Sequence, residues 1–104
     1  MLPSEVIATP DRWTQGTDAL DAVGSPVIAS SEHACRWCAV GAVLASDSSI
    51  GFSKKMYAEM LVRKIGRESF GRMQGITLWN DEKGRTHAEV LAALKAVEAE
   101  MGLT

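Results

Sequence analysis

The chain reads as a mainly α fold, a compact bundle of about four helices with a short N-terminal hairpin or extended segment. Three observations predict it. Thr86-His87-Ala88-Glu89 has the spacing of a capping box, and Val90, Leu91, Leu94, Val97 and Met101 then recur at helical intervals up to Gly102. Ser53 stands before a second such run, Met56, Tyr57, Met60, Leu61 and Ile65, which Gly66 can terminate. Near the N-terminus, two short pieces flank Gly24-Ser25-Pro26, a turn signal.

Taken in order, Pro3 and Pro10 leave a helical turn or two around Ser4–Ala8, with Ser4 as its cap. Trp13–Leu20 and Asp21–Ile28 form an irregular hairpin. Ser30-Ser31 supply caps for a helix over Glu32–Ser46, where Trp37, Cys38, Gly41, Ala42 and Ala45 share one stripe. Gly41 and Ala42 let a neighbouring backbone approach closely. The other side, Ala39-Val40 with Val43-Leu44, is also apolar, so this helix is placed centrally. Asp47–Gly51 is a loop. The helix Lys54–Ile65 follows, with Phe52 and Tyr57 as its hydrophobic staple. Arg67–Gly75 reads as an irregular helix or turn around Phe70 and Met73. Ile76–Asp81 turns abruptly from apolar to polar and leads through the turn Glu82-Lys83-Gly84 into the last helix. The expected core is Trp37, Cys38, Val40, Leu44, Met60, Leu61, Ile65, Trp79, Leu91, Leu94 and Val97.

Composition bounds the function. With 104 residues, 46% apolar and 23% charged, the chain suits one domain with one core. It has no run of 18 apolar residues, so no membrane span is expected. Met1-Leu2-Pro3-Ser4-Glu5 lacks the basic and apolar regions of a signal peptide, and two cysteines are few for a secreted scaffold. A cytoplasmic protein with reduced thiols is expected. The net charge of −2 argues against a uniformly basic nucleic-acid binder, but it is unevenly spread. Ser53–Arg72 holds six basic residues against Glu59 and Glu68, a net of +4 that leaves −6 for the remainder.

Several blocks carry a family resemblance. Trp13-Thr14-Gln15-Gly16, then Cys35-Arg36-Trp37-Cys38-Ala39-Val40-Gly41-Ala42, then Trp79-Asn80-Asp81 with Gly84-Arg85-Thr86 and Glu89-Val90, resemble a family of small uncharacterised bacterial and phage proteins. That family is classed as a domain of unknown function. The resemblance runs from about Trp13 to Ala96 and implies a shared fold unit and a prokaryotic or phage origin, with no activity attached. It also implies that Cys38 is the more regularly kept cysteine, which weakens any mechanism needing both thiols.

Four constellations invite chemistry. Cys35 and Cys38 form a Cys-x-x-Cys. A helix N-terminus beside them would lower the thiol pKa, but the apolar surroundings favour packing. A zinc site would need His33, Cys35, Cys38 and His87, and His33 is poorly spaced for it on a regular helix. His87 and Glu89 suggest acid–base catalysis with Asp81 or Asp21, yet capping already explains Glu89, and no nucleophile elbow, phosphate loop or His-Glu-x-x-His is present. The reading is therefore non-enzymatic and without a cofactor. Asn80, Asp81 and Arg85 are the candidates for a ligand or partner pocket. The competing structural reading is a polar clamp, with Arg85 paired to Asp81, that sets the approach angle of the last helix. Lys54, Lys55, Arg63, Lys64, Arg67 and Arg72 could contact phosphates, with Tyr57 and Phe70 as the aromatics in range. The expected function is a small accessory protein that binds an unidentified protein partner or itself. A nucleic-acid-associated regulator is the runner-up, and a zinc or thiol protein comes third.

Overall fold

Strand pairing, rather than helix, claims the backbone just before Cys38. The computed structural model describes residues 1–47 and 53–103. In it, β1 (Ala19–Leu20) is the middle of a three-stranded antiparallel sheet between β2 (Pro26–Val27) and β3 (Arg36–Trp37). Ala19 faces Val27 on one side and Trp37 on the other, while Leu20 faces Pro26 and Arg36. The hairpin expected at Gly24-Ser25-Pro26 is therefore present, and a third strand joins it.

That third strand corrects the helix expected over Glu32–Ser46. The helix, α2, runs only from Ala39 to Ala45. Leu20 O accepts from Cys35 N at 2.7 Å, Asp18 O accepts from Cys38 N at 3.1 Å, and the Trp37 indole donates to Ala29 O at 3.0 Å. Partners 8 to 20 residues away satisfy this backbone outside a helix, and the modest helix propensity of Arg36-Trp37-Cys38 cannot compete. The predicted close approach holds at Gly41: a Cβ there would collide with the Asp18 carbonyl oxygen. Ala39–Val43 are all buried, so α2 is central as expected, although Leu44 is 40% exposed rather than in the core.

Around α2 stand α1 (Pro3–Val6), α3 (Lys54–Lys64), α4 (Arg72–Asn80) and α5 (His87–Glu100). Leu2 rather than Ser4 occupies the cap position of α1, and Leu2 N donates to the Glu5 carboxylate at 2.6 Å. Ser53 caps α3 by accepting from Met56 N at 3.2 Å. The Phe52 staple and most of the Asp47–Gly51 loop lie outside the described residues. The stretch read as irregular and then apolar is a 3-10 turn, Glu68–Phe70, followed by the single helix α4. Gly75 makes that packing feasible, since a Cβ there would lie 2.5 Å from Arg67 O and 2.7 Å from a Val62 methyl. The capping box opens α5 as predicted: Glu89 N donates to Thr86 Oγ1 at 3.2 Å, and Thr86 N donates to Glu89 Oε1 at 2.9 Å.

The core joins Val6 and Ile7 to α2, α3, α4 and α5 through Val43, Tyr57, Leu61, Ile76, Trp79, Val90, Leu94 and Val97. Trp37, Met60 and Ile65 are half-buried at its edge, and Leu91, expected in the core, is only half-buried. Met56, read as part of the apolar run of α3, is exposed, as is Phe70. One core residue has no sequence precedent. Glu98 is fully buried, and its carboxylate accepts from Tyr57 Oη at 2.6 Å, Ser4 N at 3.0 Å and the Ser4 hydroxyl.

Candidate functional site

The densest polar cluster forms where the end of α4 meets the segment before β1. Asn80, the last residue of α4, is fully buried and uses its whole carboxamide. Its Oδ1 accepts from the Trp13 indole at 2.8 Å and from Ala39 N at 3.0 Å. Its Nδ2 donates to Thr14 O at 3.2 Å and to Asp81 Oδ1 at 2.9 Å. Two N–H donors face one end and two oxygens the other, so the orientation of the amide is determined. Ala39 N is one of the amides that the first turn of α2 cannot satisfy internally, so Asn80 serves as a long-range cap for that helix.

The remaining contacts extend the same junction. Gln15 Nε2 donates to Asn80 O at 2.8 Å and to Glu82 O at 3.1 Å, and Gly16 N donates to Asp81 Oδ1 at 2.9 Å. Thr14 N donates to Trp37 O at 3.1 Å. Residues 13–16 are thereby laced to both 80–82 and β3. The expected Arg85–Asp81 pair is replaced. Arg85 donates to Trp79 O at 3.0 Å, to Glu82 at 2.9 Å and to Glu89 at 3.2 Å, and its guanidinium lies 4.4 Å from the Trp79 ring centre. Asp81 is turned instead toward Gly16, because α4 continues through Asn80 and points the next side chain at the N-terminal segment. Asn80, Asp81 and Arg85 do sit together, each bonded within the chain.

Cys38 caps α2, with Sγ accepting from Gly41 N at 3.3 Å. It thus occupies the helix N-terminus that would activate a thiol, yet burial dominates and pushes the thiol up to about 11. Asp18, 3.9 Å away, adds to that rise. Cys35 is exposed on the approach to β3. His33 lies exposed on the turn after β2, whereas His87 bonds Ile7 O through Nε2 at 2.6 Å and packs 6.3 Å from the Trp13 ring. No group of three or more His, Cys, Asp or Glu among the described residues is placed to hold a metal ion.

The basic run is mostly occupied. Lys64 pairs with Glu100 at 2.9 Å, Arg72 with Glu59 at 3.0 Å and Arg67 with Glu82, while Lys54 donates to Leu44 O at 2.7 Å. Lys55 and Arg63 make no ion pair with the described residues. Tyr57 is buried and cannot stack on a base, whereas Phe70 is exposed.

The hairpin tip, which sequence reasoning did not single out, presents a different surface. Asp21 Oδ1 accepts from Val23 N at 3.0 Å and Ser25 N at 2.8 Å, and Asp21 N donates to Ser25 O at 2.9 Å. Gly24, at φ +86°, closes the turn. On this tightly bonded frame Val23 is 86% exposed, and past the end of β2 Ile28 is 72% exposed. The available signal was an apolar residue on each side of a turn with no core position to fill.

A small, mainly α fold locked by a buried asparagine clamp is the class that fold and site define. The chain belongs to the family of unknown function DUF6197, which matches residues 4–100. No curated protein and no solved structure matches it.

Proposed function

We propose that the protein is a small, non-enzymatic accessory protein of a bacterial or phage cytoplasm, and that it binds its partner through the hairpin tip. The observation that carries this reading is the exposure of Val23 on a turn whose backbone is held by Asp21, with Ile28 exposed just past the end of β2. Large apolar side chains held in water on an ordered frame bind at low ordering cost. The clamp supports the same division of labour, since Asn80, Asp81 and Arg85 are spent on intrachain bonds. Two unpaired cysteines suit a reducing compartment, and no helix among the described residues is long and apolar enough to cross a membrane. A nucleic-acid role draws less support, because Lys64, Arg67 and Arg72 are neutralised by neighbouring glutamates.

The test places a photo-crosslinking side chain at Val23 or, as a control, at exposed Ala92, and identifies adducts formed in the native host by mass spectrometry. The expected result is a discrete adduct from position 23, absent from position 92 and lost with Ile28→Asp. Equal labelling from both positions, or none from position 23, would overturn the reading.

A further inference from the structure

We draw no further inference here: the strongest candidate, the shallow recess between α3 and α5 lined by Met60, Arg63, Lys64 and Glu100, carries nothing because Lys64 and Glu100 pair with each other across it and nothing in the structure shows what covers it.

Discussion

Asn80 caps a helix that begins 41 residues earlier in the chain: its Oδ1 accepts from Ala39 N, the first amide of α2, at 3.0 Å. The same oxygen holds the Trp13 indole, so one side chain joins α4, α2 and the N-terminal segment. Asn80→Ala should cost about 3–5 kcal/mol, because it leaves Ala39 N and Thr14 O without partners in a buried place. Asn80→Asp keeps the acceptor but sets an anionic oxygen against Thr14 O and Asp81. Its native state therefore favours the protonated acid, and stability should fall as pH rises through the carboxylate range and recover in acid. Urea unfolding of both variants across pH measures this.

Cys38 and Cys35 should behave as different thiols. At pH 8 a thiol reagent should modify exposed Cys35 promptly and Cys38 only on unfolding. The native Cys38 thiol is held up to about 11 by burial, so the unfolded state loses its proton first as pH rises. Stability contributed by this site is intact below about pH 9 and should decline by about 2–3 kcal/mol through pH 11. Tyr57 adds to the alkaline loss, since burial and Glu98 also raise its hydroxyl. Cys38→Ala isolates the thiol's share by flattening that part of the profile.

Glu98 tethers α1. Glu98→Ala would strand the Ser4 amide and the Ser4 hydroxyl in the interior, while the Tyr57 hydroxyl keeps Leu94 O at 3.2 Å, for an expected loss of about 3 kcal/mol. Tyr57→Phe removes a single donor and should cost about 1–2 kcal/mol. Amide exchange at Val6 and Ile7 should accelerate in the first variant more than at Leu61 in α3, which reports local release of the N-terminal turn.

Gly41→Ala should be the most damaging glycine substitution in the protein's interior. Its methyl would enter the Asp18 carbonyl, a backbone atom already fixed by Cys38 N, and a loss of more than about 3 kcal/mol is expected. By contrast, Lys64→Ala removes a half-exposed ion pair with Glu100 and should change stability by less than about 1 kcal/mol. Thermal unfolding of the two variants side by side checks the contrast.

The helices α3 and α5 were legible because Ser53, Thr86 and Glu89 act within three residues of their partners. Helix α2 was overextended because the partners of Cys35 and Cys38 are Leu20 in β1 and Asp18 just before it, 15 and 20 residues away, where no local signal reaches. The candidate cluster was half legible. Asn80, Asp81 and Arg85 stood out as polar residues after an apolar run, but Trp13, Gln15 and Gly16 complete it from about 65 residues away. Local charge arithmetic paired Arg85 with Asp81, whereas the turn geometry presents Glu82 and Glu89 to it. Glu98 was invisible for a related reason. In Glu98-Ala99-Glu100 it looks like one of two solvated acids at a helix end, and only the return of Ser4 from 94 residues away buries it.

Native-state hydrogen exchange tests most directly whether the Asn80 cluster is a permanent lock rather than an opening pocket. The amides of Gly16, Ala39 and Gly41 accept protection from Asp81, Asn80 and Cys38 respectively. If the lock is permanent, all three exchange only with global unfolding, at the same free energy as Leu94 in α5. Exchange of Gly16 and Ala39 through a local opening several kcal/mol cheaper than that of Leu94 would contradict the account. The 13–16 segment would then be a movable cover over a polar site.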